Sequence, residues 1–228
     1  MPFDLILFDA DGTLFDYDKA EAYALENAFL SAQIPFHKKY ISEYKIINSA
    51  LWLDFEKGKI SPHKIRVERF TLLFHKLKIN ANAKKFGDIY LNFFADAGFL
   101  IENAENIVRQ ISKYKSTAII TNGLSVVQRS RFSKSPIMSL FDDVIISEEV
   151  GCAKPNPEIF KITFKRLGHT NKNSAIIIGD SLTSDILGGK NFGIKTCWFN
   201  PKNIPDNLNL SPDFEIQDLN LFPEIIGL

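Results

Sequence analysis

Asp9-Ala10-Asp11-Gly12-Thr13 sets two carboxylates two residues apart, directly after the apolar run Leu5-Ile6-Leu7-Phe8. Four large apolar residues in a row read as a strand buried on both faces, the signature of a parallel sheet. Like charges at the end of such a strand raise each other's pKa unless a cation or strong donors compensate. The pentapeptide alone leaves two readings open. One is a strand running into an ordinary Asp-Gly turn; the other is a carboxylate pair held for chemistry on a charged substrate.

Later segments repeat the pattern. Ser116-Thr117-Ala118-Ile119-Ile120 runs into Thr121-Asn122-Gly123, Asp143-Val144-Ile145-Ile146 into Ser147-Glu148-Glu149, and Ala175-Ile176-Ile177-Ile178 into Gly179-Asp180-Ser181. Helical spacing fills roughly 103–113, 124–133, 156–167 and 184–192 between them. Strands alternating with helices predict βαβ units, hence an α/β fold with a Rossmann-like parallel sheet. In such sheets ligands bind beyond the carboxyl ends of the strands, which is where these polar residues fall. A stretch from about 17 to 97 is different. It has no strand with a polar end, carries apolar residues at helical spacing (Ala20, Tyr23, Ala24, Ala28 and Phe29), and is broken at Pro35, Pro62 and Asn80-Ala81-Asn82. The expected organisation is a catalytic core from 1–16 plus 98–228, with an inserted all-helical cap domain at 17–97. Linkers near 15–18 and 98–102 are suited to let such a cap gate water and substrate. Phe214-Glu215-Ile216 reads as a last edge strand before a terminal helix.

Taken in order, DADGT, IITNG, AKP (around Lys154) and GDSLTSD (Asp180 and Asp185) resemble the four motifs of the haloacid dehalogenase (HAD) superfamily across the whole catalytic core. The resemblance implies a Mg²⁺-dependent phosphoric monoester hydrolase. Asp9 is then the nucleophile that forms an aspartyl-phosphate, Asp11 the proton shuttle, and Thr121, Asn122, Gly123 and Lys154 the phosphate-binding group. Asp9, Asp180 and the Asp11 backbone carbonyl would hold the metal, with Asp185 ordering metal-bound water. Physical reasons agree: a carboxylate attacking an anion needs a divalent cation to remove the repulsion, Mg²⁺ favours oxygen ligands, and a lysine neutralises charge as bonds change. The acid at Asp11 argues against carbon–halogen chemistry. A helix-start carboxylate favoured by the dipole is the plain structural reading of Asp185.

Longer stretches refine the resemblance. Val144-Ile145-Ile146-Ser147-Glu148-Glu149-Val150-Gly151, Ser184-Asp185-Ile186-Leu187-Gly188-Gly189, Thr196-Cys197-Trp198-Phe199-Asn200 and Leu51-Trp52-Leu53-Asp54-Phe55-Glu56-Lys57-Gly58-Lys59-Ile60 are similar to YjjG-type pyrimidine 5′-nucleotidases. The implied substrate is a nucleoside monophosphate. Sugar phosphates or phosphoglycolate, a phosphomutase, and a non-enzymatic interaction module on the same fold are the alternatives. In the cap, Trp52 and Phe55 share a helical face and could stack on a base, and Arg66 and Arg69 could read a sugar or base edge. At such spacing aromatics more often pack a core and charges more often form a solvated face.

Composition narrows the partners. The 228 residues hold 27 basic and 27 acidic side chains, so there is no electrostatic footprint for a nucleic acid polymer or an anionic membrane. No apolar run approaches the ~20 residues of a membrane helix. No secretory signal is evident, so a cytoplasmic monomer or homodimer is expected, with Cys152 and Cys197 as free thiols. The histidines His37, His63, His75 and His169 are scattered without metal-ligand spacing.

Overall fold

A computed structural model describes residues 3–228. Its chain divides into two compact units: 1–16, 99–125 and 134–228 in one, and 17–98 with 126–133 in the other.

The first unit is built on six strands: β1 (Leu5–Phe8), β2 (Ser116–Thr121), β3 (Asp143–Ile146), β4 (Ala175–Gly179), β5 (Lys195–Phe199) and β6 (Phe214–Ile216). They form one sheet in the order β3-β2-β1-β4-β5-β6, every neighbouring pair parallel. This is the doubly wound order, whose direction of winding reverses between β1 and β4, and ligands in such sheets bind outside that reversal. Phe8 pairs in register with Ile119 on one side and Ile178 on the other. The residue after each of these strands therefore emerges at the same edge.

β1 and β4 are buried along their whole length because both sheet faces are covered. Leu5, Leu7, Ala118, Ile120 and Ile177 pack with Ile159, Phe160 and Phe164 of α8 (Pro157–Leu167) and with Phe192, the last residue of α9 (Leu187–Phe192). On the alternate positions Phe8 makes edge contacts with Phe141 and Phe222, at 5.8 and 5.9 Å between ring centres. Each such side chain contributes about 1.5–3 kcal/mol by leaving water. The core fixes the register, and the register fixes where the polar strand ends lie.

β5 carries little strand signal in its residues, because Lys195-Thr196-Cys197-Trp198-Phe199 lacks a run of β-branched residues. A second difference lies at 184–192. Regular helix begins only at Leu187, and Leu182–Ile186 forms a π-helical turn. That wider turn lets Asp185 point back to accept from the Ser181 N–H at 3.0 Å. Both cysteines are free, Cys197 buried and Cys152 half-buried. No helix among the described residues is long and apolar enough to cross a membrane.

The second unit contains α1 (Tyr17–Ser31), α2 (Lys39–Glu56), α3 (Pro62–Leu77) and α4 (Ala83–Asp96). α1 packs on α4, α4 on α3, and α3 on α2. The breaks carry stop and start chemistry: Ser61 caps α3 with Pro62 as its first residue, and the Asn82 side chain accepts from Lys85 N–H at 2.9 Å. Phe29, Phe70, Phe74 and Phe86 form an aromatic core with ring centres 4.9 to 6.5 Å apart. Val126–Ser133 of α6 (Ser125–Ser133) groups with these helices although it lies between β2 and β3 in sequence. Arg131 explains this: it is fully buried, donates from Nε to the Ala97 carbonyl at 3.3 Å, and lies over the Phe94 ring at 4.7 Å.

The centre of the helical unit is not all apolar. Glu21 of α1 accepts from Asn48 of α2 at 3.1 Å, and Asn48 also donates to the Tyr17 hydroxyl at 2.9 Å. Burial pushes the Glu21 carboxyl up to about 7, against the opposing pull of Lys45 and of the Tyr17 hydrogen bond. The folded chain thus holds this proton to a higher pH than the unfolded chain, so folding stability falls as pH rises from about 5 through about 7. Glu21→Gln keeps the shape and removes that loss. Its stability relative to the native chain, read from urea unfolding, should grow by roughly 1–3 kcal/mol between about pH 5 and pH 8. A difference that stays flat over that range would contradict the assignment.

Candidate active site

β1 delivers Asp9 to the sheet edge, where its N–H donates to the Ile178 carbonyl of β4 at 2.9 Å. The next residues turn sharply. Leu14 and Phe15 both donate to the Ala10 carbonyl, and Gly12 takes a φ of +89° that L side chains rarely adopt. A Cβ at Gly12 would also collide with the Asp180 carboxylate. Glycine is required there for both reasons, and it lets the loop after β1 close on the acid after β4. Asp11 sits half-buried in this loop.

Lys154 reaches the same point. Its ammonium donates to Asp9 Oδ1 at 2.5 Å, to Asp185 Oδ1 at 2.6 Å and to the Ile120 carbonyl at 2.6 Å, so all three protons are satisfied. The side chain is 1% exposed, against the surface position that a lysine before proline would suggest. Burial alone would lower its pKa; the Asp185 and Asp9 carboxylates outweigh burial and raise it above the usual lysine range. Asn122 locks the lysine backbone, accepting from Lys154 N–H and donating to Lys154 C=O, both at 2.9 Å. Thr121 ends β2 and is buried. Gly123 donates its N–H to Ser147 Oγ at 3.3 Å.

Asp180 is positioned from behind, its carbonyl accepting from Trp198 Nε1 at 2.9 Å. Asp185 is fully buried, paired with Lys154 and bonded to Ser181 N–H. This differs from a helix-start carboxylate: the charge meets a lysine rather than a helix dipole. Oxygens of Asp9, Asp180 and Asp185 lie within 4.8 Å of one another. Burial first, then Lys154 pulling down and Asp185 pushing up, leaves Asp9 raised to about 7. Asp180 keeps solvent-accessible surface, yet desolvation and the charges of Asp9 and Asp185 raise it well above the ordinary carboxylate range. Three carboxylates against one ammonium leave negative charge in excess. An all-oxygen donor set of this kind fits a hard divalent cation such as Mg²⁺.

Asp9, Lys154, Asp180, Asp185 and Asn122 therefore come together, from positions spread over most of the chain. The four cap candidates belong to the helical unit. Trp52 and Phe55 are half-buried and contact each other edge-on at 5.5 Å. Arg66 pairs with Asp88 at 2.6 Å. Arg69 is 4% exposed, which overturns the solvated-face reading; its guanidinium lies over the Tyr90 ring at 4.7 Å and the Phe70 ring at 5.1 Å. Sequence reasoning missed the Asn122 side chain, the Ile120 carbonyl and Trp198 as positioning groups. A carbonyl leaves no trace in sequence. The Asn122 side chain carried a signal only in being an amide beside a phosphate-binding residue.

A doubly wound parallel sheet with acids and a lysine gathered where its winding reverses is an α/β architecture with a candidate active site at its usual ligand-binding edge. Residues 6–199 match the model of the haloacid dehalogenase-like hydrolases, and the chain belongs to that family. It is 34% identical over 223 residues to the HAD-hydrolase YfnB of Bacillus subtilis (strain 168), covering 98% of this chain and 95% of that protein. It is 31% identical over 226 residues to pyrimidine 5′-nucleotidase YjjG of Escherichia coli (strain K12), covering 99% of each. Identity is also 31%, over 223 residues, to pyrimidine 5′-nucleotidase PynA of Streptococcus pneumoniae (strain ATCC BAA-255 / R6), covering 96% of this chain and 94% of that one. The crystal structure of YfnB bound to magnesium, described as revealing interdomain movement, superposes with a TM-score of 0.95 at 33% identity over 100% of both chains.

Removing the lysine should expose how much it compensates. Lys154→Met leaves Asp9 and Asp185 buried without their cation, and breaking one side of a buried pair costs about 3–5 kcal/mol. Urea unfolding in metal-free buffer at about pH 7.5 should show that loss, shrinking toward about pH 5 as the carboxylates take up protons. An unchanged midpoint would show that Lys154 is not what compensates them.

Proposed function

We propose that the chain is a phosphoric monoester hydrolase acting on nucleoside 5′-monophosphates through a phosphorylated Asp9. The observation that carries the reading is the Lys154 ammonium shared between Asp9 and Asp185, with the Asp180 carboxylate converging on the same point. The two pyrimidine 5′-nucleotidases at 31% identity support the substrate class.

Asp9 Oδ attacks phosphorus as the bond to the leaving oxygen breaks. Lys154 orients Asp9 and pulls its pKa down against burial, which favours the ionised form that attacks. Asp11 donates its proton to the departing alkoxide and then takes one from water, which attacks phosphorus, releases inorganic phosphate and restores the Asp9 carboxylate. Thr121 and the N–H groups of Asn122 and Gly123 receive the remaining phosphoryl oxygens. Asp9, Asp180 and the Asp11 carbonyl would hold a Mg²⁺, which would supply the positive charge that lets an anionic nucleophile approach an anionic substrate. The helical unit acts as the cap that selects the leaving group.

Asp9→Asn should fold as the native chain does by circular dichroism and lose at least about 10³-fold in kcat, the scale expected for removing a nucleophile. EDTA should abolish turnover and Mg²⁺ restore it. Retained turnover in Asp9→Asn would remove the nucleophile assignment. Ranking kcat/KM over deoxyuridine 5′-monophosphate, thymidine 5′-monophosphate, ribose 5-phosphate and phosphoglycolate tests the substrate class, nucleotides being expected first. A sugar phosphate leading that ranking would replace the nucleotide reading.

A further inference from the structure

The loop after β2, which would receive the phosphoryl oxygens, is anchored differently at its two ends. At its start Thr121 is the last residue of β2 and pairs in register with Ile146 of β3. At its far end the chain passes into α6, whose residues Val126–Ser133 group with the helical unit, so Ser125 is the last residue of this stretch in the first unit. Leu124, just before α6, has no side-chain oxygen with which to cap that helix. Two acids outside the catalytic group supply the anchor instead. Glu148 Oε2 accepts from the Ser125 N–H at 2.7 Å, and Glu149 Oε1 accepts from the Ser125 hydroxyl at 2.5 Å.

These acids stand on a short, closed support. Ser147–Val150 is a single helical turn directly after β3, ended by Gly151 at a φ of +74°, whose N–H donates to the Ser147 carbonyl at 3.0 Å. A little further along the same segment, Lys154 exchanges two backbone bonds with the Asn122 side chain, both at 2.9 Å. The loop is thereby tied to residues 147–154 at Asn122 and again at Ser125. Glu148 and Glu149 are exposed, where hydrogen-bonded charges add little to stability. Their negative charge by itself opposes an approaching phosphate. What they supply is position.

We propose that Glu148 and Glu149 are positioning residues for phosphoryl recognition. By holding Ser125 they fix the far end of loop 121–125 against the segment that carries Lys154. The proposal rests on the phosphatase reading and is independent of the leaving group. Because the loop addresses the phosphoryl group alone, the effect of the two acids is the same for every monoester.

Three variants test it. Glu148→Ala removes the acceptor, Glu148→Gln keeps an acceptor oxygen without the charge, and Ser125→Ala removes the hydroxyl that Glu149 holds. With Mg²⁺ present, Glu148→Ala should raise the inhibition constant of inorganic phosphate about tenfold, a scale within what misplaced binding groups cost. KM should rise by the same factor on deoxyuridine 5′-monophosphate and on p-nitrophenyl phosphate, with the urea midpoint unchanged. Ser125→Ala should move both constants the same way by less, and Glu148→Gln should stay within about threefold of the native chain. Amide exchange of peptide 121–125 should quicken in Glu148→Ala while the sheet strands keep their native rates. A purely electrostatic role has the opposite sign: phosphate would bind more tightly to both Glu148 variants. Tighter or unchanged phosphate binding in Glu148→Ala, an equal loss in Glu148→Gln, or a loss confined to one leaving group would overturn the proposal. Should the native chain hydrolyse no monoester, the phosphatase reading fails by itself, and calorimetry with inorganic phosphate then reads the loop. Binding that weakens about tenfold in Glu148→Ala supports the positioning role; no binding by the native chain refutes it.

Discussion

One ammonium group holds the catalytic unit to its purpose. Lys154 is buried at the edge of the sheet and shared between Asp9, which follows β1, and Asp185, in the turn after β4. A buried charge is tolerated only when it is paired and hydrogen-bonded, and here each requirement imposes a constraint elsewhere. The parallel register must bring β1 and β4 level. Gly12 must be glycine to admit Asp180, and Gly179 must be glycine because a Cβ there would collide with Asp185. Asn122 must hold the lysine backbone from the end of β2. Carboxylates still outnumber the one ammonium, and that imbalance suits the site to a divalent cation.

Much of this was legible in the sequence, for physical reasons. Strands buried on both faces read as short apolar runs, and the residue types at their ends are costly enough to stand out. β1 to β4 are legible for that reason, and the acids Asp9 and Asp180 stand out at the ends of β1 and β4; Lys154 ends no strand, and only its motif sets it apart from a surface lysine. β5 is not legible in the same way, because Lys195 and Thr196 interrupt its apolar run, although Thr196 is fully buried against Asp213. The environment of Asp185 was also missed: a π-helical turn has no composition of its own, and only the turn brings that carboxylate round to Lys154.

The helical unit was less readable. Its helices and breaks follow from periodicity, proline and caps, but the fate of its charged residues does not. Arg66 and Arg69 lie three apart on α3 and look equivalent as letters. One forms a half-exposed pair with Asp88, while the other is enclosed by aromatic rings. Helical spacing gives a face; only packing decides whether that face is wet. For the same reason α6, placed by sequence among the strands, is drawn to the helices by Arg131 and its bond to Ala97.

The account stands on Asp9 as the group that takes the phosphoryl. Rapid acid quench during turnover of a phosphate monoester labelled at phosphorus, followed by peptide mapping, reads this directly. Label is predicted on the peptide containing Asp9, labile to hydroxylamine as an acyl phosphate is, and absent in Asp9→Asn. Label on no residue during active turnover, or on Asp11 instead, would contradict it.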